Sequence, residues 1–192
     1  MGIKIKSRVI QVINLLCPCN VTSMLYENCM LYETMLTLAP LHHYPAYASI
    51  LACWAYQEWY RNRSLGFDIV SRAYQERAKG DSLPQSFVAL ADSLPVGMVT
   101  LKLDDLRSHA DINPWLASLY VVPVFRNRGI GHNLIRAIMG RAQQLGYKSL
   151  HLFLGQSGPL RLERYYCKRG WEVIYNTEDN DGLSTKILRH AL

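Results

Sequence analysis

A basic turn with two glycines is the stretch of this sequence with the clearest chemical meaning. Residues 126–132 read Arg-Asn-Arg-Gly-Ile-Gly-His. The apolar run before them, residues 115–122, predicts a buried strand, and apolar residues at helical spacing follow over residues 133–145. A strand, a glycine turn and a helix in this order direct backbone N–H groups and a positive helix end toward an anion. Because the arginines add fixed charge and the glycines permit close approach, the pattern predicts a phosphate-bearing ligand.

Two other phosphate-binding motifs do not fit this turn. A P-loop requires Gly-Lys-Ser/Thr, whereas Gly131 is followed by His132 and Asn133. A dinucleotide-binding turn needs a third glycine at position 134, which is Leu134. Both motifs are therefore excluded.

The turn resembles the Arg/Gln-x-x-Gly-x-Gly/Ala signature of the GNAT acyltransferases, with Arg126, Gly129 and Gly131 at the fixed positions. That family carries a second motif, Leu-Tyr-x-x-x-Gly-Phe, after a short strand and a helix. Residues 165–171, Tyr-Tyr-Cys-Lys-Arg-Gly-Trp, resemble this motif, with Tyr166 on its tyrosine and Gly170-Trp171 on its Gly-Phe. The order and spacing of the two motifs make the resemblance specific.

The resemblance implies an α+β fold of the GNAT type, with a mixed, twisted sheet flanked by helices on both faces. The sheet is expected to splay beside the strand of residues 115–122. Predicted strands and helices do not alternate strictly along the chain, which also favours an α+β fold. The family's elements are complete from residue 35 onward. We therefore predict one GNAT domain over residues 35–192, preceded by an appendage of unclear role, residues 1–34.

The resemblance also implies a set of site residues. Acetyl-CoA is the expected co-substrate, its pyrophosphate bound at the turn and its pantetheine arm paired with the strand before it. The residues expected to bind it are Tyr120, Val121, Arg126, Asn127, Arg128, Gly129, Ile130, Gly131 and His132. Tyr166 is the expected catalytic proton donor to the leaving thiolate, with Tyr165 as its competitor. The general base stays open between a water chain, an amine that arrives partly neutral, and the side chains of Asp104, Asp105, His109, Asp111 and Glu58.

The implied function is N-acetyl transfer from acetyl-CoA to a primary amine by direct attack in a ternary complex. We favour a small-molecule acceptor, since an aromatic helix near residue 54 and an acidic loop at residues 104–111 would suit a small cationic amine. An amine on a protein or an aminoacyl-tRNA is an alternative acceptor. A non-catalytic acyl-CoA-binding regulatory module is the alternative from a different functional class.

Composition limits the other roles of the chain. Its 192 residues carry a net charge of +6, but the basic residues are scattered, so no nucleic-acid partner is expected. The sequence contains no apolar run of the roughly 18 residues that a membrane span needs. Five cysteines without a paired framework favour a cytoplasmic protein, and Cys17 and Cys19 lack partners at zinc-site spacing, so no metal is expected. Homodimer formation is left open.

Overall fold

An eight-stranded mixed sheet is the framework of the computed structural model, which describes residues 3–5, 34–63, 65–155 and 159–192. Its strands are β1 (Ile3–Ile5), β2 (Thr34–Pro40), β3 (Gln85–Ala91), β4 (Leu94–Lys102), β5 (Trp115–Val121), β6 (Ser149–Phe153), β7 (Glu172–Glu178) and β8 (Ser184–Ala191). They lie in the order β1-β2-β3-β4-β5-β6-β8-β7. Neighbouring strands are antiparallel except for β5 and β6, which are parallel.

Helices cover both faces of this sheet. They are α1 (Ala48–Ala55), α2 (Phe67–Arg77), α3 (Ile130–Gln144) and α4 (Pro159–Cys167). The sheet has a hydrophobic core on each face, because side chains alternate along a strand. In β3, Phe87 and Ala89 pack into the first core, and Val88 and Leu90 pack into the second. The first core contains buried residues of α3 and α4, and the second contains those of α1 and α2. The predicted α+β sheet with helices on both faces is confirmed.

The middle of the sheet opens between β5 and β6. Their parallel ladder consists of one residue pair, Trp115 with His151. On the other side of β5 the register to β4 shifts, and Ser118 takes a positive φ of 52° within this irregularity. A bulge of this kind bends and twists its strand. It accounts for the predicted splay of the sheet beside β5.

Two of the element boundaries that differ from the sequence-based expectation bear on the site and on the division into domains. The helix after the basic turn begins at Ile130 instead of residue 133, because Gly129 adopts φ 80° and caps it. The sequence-based start at Asn133 is late because the helical spacing of apolar residues becomes visible only after several such residues have recurred. At the other end of the chain, β2 begins at Thr34, and Ile3 of β1 pairs with Leu36. The division into an appendage and a domain stays a prediction.

Within the described residues, no helix combines the length and the apolar character that crossing a membrane would require.

Candidate functional site

The basic turn has the geometry of an anion site at a helix end. Gly129 caps α3 in the left-handed region at φ 80°, and Asn127 before it also has positive φ, at 61°. The N–H of Asn133 donates to the carbonyl of Gly129 at 3.0 Å, which begins the helical hydrogen bonds. The N–H groups of residues 130–132 therefore point out of the helix end, where no acidic side chain occupies the first turn. Such an end can bind a phosphate group.

Arg126 connects this turn to the end of β5. Its Nε donates to the carbonyl of Val121 at 2.9 Å, and its guanidinium lies 5.7 Å from the centre of the Tyr120 ring. The guanidinium of Arg128 lies 5.1 Å from the ring centre of Phe125. The structure thus brings the nine residues predicted to bind acetyl-CoA into one continuous region, formed by the end of β5 and the start of α3. Their role in binding stays a prediction.

Gly97 is a positioning residue that the sequence reasoning did not single out. A β-carbon at this position would lie 2.9 Å from the carbonyl oxygen of Tyr120 and 3.1 Å from Cδ1 of Leu134. Only glycine therefore lets β4 pack this closely against both β5 and α3. An isolated glycine inside a strand pattern is the signal that could have identified it.

The predicted proton donor is buried on the sheet face covered by α3 and α4. Tyr166 is 7% exposed, and its ring makes edge contacts with Tyr165 at 5.2 Å and with Trp171 at 5.5 Å. Burial raises the pKa of Tyr166, and the neighbouring Tyr165 raises it further. The hydroxyl is therefore protonated at neutral pH, as a proton donor must be. Tyr165 is half-buried instead, beneath the Arg169 guanidinium at 3.8 Å.

The candidate bases differ in their surroundings. Three of the carboxylates are exposed: those of Asp104, Asp111 and Glu58. The imidazole of His109 is half-buried and lies 3.1 Å from the hydroxyl of Thr177, with which it forms a hydrogen bond. None of these four residues lines either of the two pockets described below.

Asp105 is the candidate acid that the fold encloses. Its carboxylate lies 2.9 Å from Nζ of Lys102. Burial raises the pKa of Asp105, and the ammonium of Lys102 opposes the shift. The turn between β7 and β8 holds this loop, since Asn180 donates to the carbonyl of Asp105 at 2.8 Å and accepts from the N–H of Arg107 at 3.0 Å. The carboxylate is thus committed to an ion pair.

A pocket of about 160 Å³ lies between α2 and the bulge of β5. Its lining includes Tyr60, Ile69, Ala73, Tyr74, Arg77 and Ser118. We call it the Ser118 pocket. Tyr60 reaches it because α1 continues into a π turn, Tyr56–Tyr60, closed by the N–H of Arg61 and the carbonyl of Tyr56 at 2.7 Å. Burial raises the pKa of Tyr60, and the charge of Asp105 adds to the shift.

A larger pocket of about 320 Å³ lies between α4 and the β7–β8 hairpin. Its walls include Glu163 and Lys186, whose charged groups are 2.9 Å apart. None of the residues predicted to bind acetyl-CoA lines it. The Ser118 pocket is nearer to the predicted cofactor residues in the fold, because Ser118 belongs to the same strand as Tyr120 and Val121.

Comparisons with known proteins agree with this geometry. The model of the acetyltransferase (GNAT) family matches residues 51–171. A GNAT acetyltransferase from Streptococcus pneumoniae has 15% identity and a TM-score of 0.60, covering 82% of this chain and 99% of that one. An aminoglycoside 6′-N-acetyltransferase complexed with coenzyme A has 12% identity and a TM-score of 0.62, covering 81% and 96%.

A plant structure has the same fold. Arabidopsis thaliana Naa50, in complex with the bisubstrate analogue CoA-Ac-MVNAL, has 16% identity and a TM-score of 0.57, covering 82% of this chain and 99% of that chain. At these identities the three structures establish similarity of fold alone. No match is found among curated protein sequences.

The family match covers more than half of the chain and includes both sequence motifs, from within α1 to Trp171. It confirms the predicted family, the fold class, the enzyme class and acetyl-CoA as the co-substrate. The chain belongs to the GNAT family of acetyltransferases.

Proposed function

We propose that this chain transfers an acetyl group from acetyl-CoA to the primary amine of a small molecule, by direct attack in a ternary complex. One observation carries the proposal: β5 runs from the Ser118 pocket to the basic turn, and it separates from β6 along the way. A cofactor bound by its pyrophosphate at the turn can lie along this strand. Its thioester then reaches the pocket that admits the amine.

The cofactor is held in two places under this proposal. Its pyrophosphate lies against the N–H groups of residues 130–132, with Arg126 and Arg128 supplying positive charge. Its pantetheine arm pairs with the backbone of Tyr120 and Val121 as an added strand would. Holding both reactants in one geometry supplies much of the rate enhancement, because it removes the entropic cost of their encounter.

The chemistry is balanced in atoms and protons. The amine nitrogen attacks the acetyl carbonyl carbon, the C–S bond breaks, and an amide and a thiolate form. The ammonium form of the acceptor loses one proton to solvent before attack, and the nitrogen loses a second proton as the amide forms. The thiolate gains a proton from the hydroxyl of Tyr166, and the second amine proton, relayed through solvent, restores that hydroxyl. Because a thiol has a pKa of about 8.5, below that of a phenol, this transfer must accompany C–S cleavage. The raised pKa of Tyr166 reinforces that requirement.

We assign no side chain as the general base. Asp105 is paired with Lys102 at 2.9 Å, and Tyr60, with its raised pKa, is a poor proton acceptor in its neutral form. An amine that enters the Ser118 pocket in its neutral form needs no protein base, and solvent takes the proton.

The fold neighbours support this reading without fixing the acceptor. One is described as an aminoglycoside acetyltransferase complexed with coenzyme A, and another holds an analogue that joins coenzyme A to a peptide. We favour a small molecule because the Ser118 pocket, at about 160 Å³, admits a compact group. We also propose a cytoplasmic location, since the five cysteines form no paired framework in the sequence.

The test is turnover of an amine panel with acetyl-CoA, read as release of free thiol, together with a Tyr166→Phe variant. The variant keeps the ring contacts and removes the proton, so turnover should fall by about 10²–10⁴-fold. Coenzyme A affinity measured by calorimetry should change little, because the predicted pyrophosphate contacts lie on another element. Tyr165→Phe is the matched control and should behave like the parent protein.

Other outcomes have definite meanings. If Tyr165→Phe is the damaging variant, the proton donor is misassigned by one residue. If both variants turn over normally, the thiolate leaves without a protein acid. Tight coenzyme A binding without turnover of any amine would favour the regulatory module instead.

A further inference from the structure

One arginine of α2, Arg77, lines the Ser118 pocket and has no ion-pair partner among the described residues. Nε of Arg77 is buried and has no hydrogen-bond partner among the described residues. Its guanidinium lies 4.5 Å from the centre of the Tyr74 ring, which is itself 2% exposed. Stacking on a buried ring restricts the guanidinium plane. The residue as a whole is half-buried, so a ligand in the pocket can meet its guanidinium, a planar fork of N–H donors.

The other charges near the pocket do not neutralise this arginine. Asp105, whose charge is felt at both Tyr60 and Arg77, is committed to Lys102 at 2.9 Å. In the part of the chain that the structure describes, no ion pair to Arg77 is found. The guanidinium of Arg77 therefore gives one side of the pocket a positive charge that no ion pair among the described residues neutralises.

A second arginine on the same helix shows the contrast. Arg72 pairs with Asp68 at 2.7 Å, and both side chains are 71% exposed. An arginine in that position is an ordinary solvated surface residue. Arg77 differs from it in burial, in pairing and in its place on a pocket wall.

We propose that the acceptor amine carries a carboxylate and that Arg77 binds it, so that the substrates are amino acids or compounds like them. This inference rests on the proposed function and names its acceptor class. The planar guanidinium fork matches a carboxylate in geometry, and such charged hydrogen bonds are roughly twice as strong as neutral ones. The apolar residues Ile69 and Ala73 line the same pocket and would contact the body of the acceptor.

The proposal replaces the expectation of a small cationic amine. That expectation depended on the acidic loop at residues 104–111. In the fold, Asp104 and Asp111 are exposed, and Asp105 is paired with Lys102. The pocket presents a positive side chain to the acceptor, so an anionic group on the acceptor is complementary to it.

The experiment compares amines that differ only in the carboxylate. Three amino acids are compared with the amines that lack only their carboxylate: alanine with ethylamine, leucine with 3-methylbutylamine, and phenylalanine with 2-phenylethylamine. The kcat/KM of each compound is measured with acetyl-CoA. For the best pair, the acid should be preferred by about 10- to 100-fold, the range of a charged hydrogen bond. The phosphonate analogue of the best amino acid is a separate arm. Preference for the phosphonate would overturn the carboxylate assignment.

Variants then test whether Arg77 causes the preference. In Arg77→Met the acid-to-amine ratio should fall to about one. In Arg77→Lys, which keeps the charge but loses the fork and Nε, most of the preference should be lost. Arg72→Met is the matched control on the same helix and should keep the preference. An unchanged ratio in folded Arg77→Met or Arg77→Lys would overturn the inference.

Binding separates this inference from the proposed function. Calorimetry with the same amino acids on the protein saturated with coenzyme A needs no chemistry. Binding that Arg77→Met abolishes, without turnover in the parent protein, would support the carboxylate site and refute the transferase proposal. Turnover of amines without any acid preference would overturn the carboxylate site alone. Absence of both binding and turnover would overturn both.

Discussion

Gly131→Asp is the perturbation that most directly tests the anion site. Gly131 is the second residue of α3, and a β-carbon there would lie 3.8 Å from Cγ2 of Val121, an ordinary contact. The fold therefore has room for a side chain. An acidic residue in the first turn of a helix also stabilises it, by about 0.3–1 kcal/mol. The thermal midpoint should stay the same or rise.

Coenzyme A binding should weaken in the same variant. A carboxylate about 6 Å from a phosphate charge repels it by about 0.7 kcal/mol in water and about 2.8 kcal/mol at an effective dielectric of 20. Each phosphate charge then costs about 3- to 100-fold in affinity, before any steric effect is added. Gly129→Asp is a less clean test, because Gly129 has φ 80° and any side chain there is strained. Calorimetry on Gly131→Asp is the measurement.

The matched control is Gly140→Asp on the same helix. A β-carbon at Gly140 would meet no atom within 4 Å, and the residue lies well past the first turn of α3. The net charge changes equally in the two variants, so general electrostatic attraction cancels in the comparison. Coenzyme A affinity lost equally in both variants, or retained in Gly131→Asp, would refute the anion site at the turn.

Two further predictions concern the rest of the fold. A chain beginning at Met35 lacks β1 and the first residue of β2, but it should fold and bind coenzyme A like the full chain. A loss in Tm beyond about 10 °C, several kcal/mol at this size, would instead show that the domain depends on residues 1–34. Burial lowers the pKa of His151, although the carbonyl of Pro114, 3.2 Å from its Nδ1, opposes the shift. The stability it contributes is present above the unfolded pKa of about 6.5 and is lost as the pH falls through the lower folded pKa. In His151→Asn the unfolding free energy should fall less steeply as the pH drops below about 6.5. Denaturant titrations at several pH values measure this free energy, and an equal pH dependence in the variant and the parent protein would contradict the prediction.

The fold could be predicted because its signals are local. Apolar alternation, turn residues and glycines mark most elements to within a few residues, as at β5, expected over residues 115–122 and observed over Trp115–Val121. The basic turn could be predicted for the same reason, since its glycines and arginines are contiguous in sequence. The second motif predicts Tyr166 as the proton donor, although the sequence held no sign of how deeply its side chain is buried.

The Ser118 pocket could not be predicted, because it depends on irregular backbone and on residues distant in the sequence. Ser118 reaches it through a bulge, and Tyr60 reaches it through a π turn. Neither feature has a sequence pattern of its own. Arg77 reads in the sequence as one of 21 basic residues, and only the fold shows that it lines a pocket while Arg72 pairs with Asp68.

The position of β5 explains how one strand can serve both reactants. The core that contains Tyr166 lies on the face covered by α3 and α4, whereas the Ser118 pocket lies on the face covered by α1 and α2. In a continuous sheet, the proton donor and the amine would be separated by backbone and side chains. Trp115 and His151 form the single ladder pair between β5 and β6, so a gap separates the two strands beyond Trp115. Under the proposed function, a thioester in the gap would meet the amine from the face of the Ser118 pocket and Tyr166 from the other face, and the loss of turnover expected in Tyr166→Phe tests that arrangement.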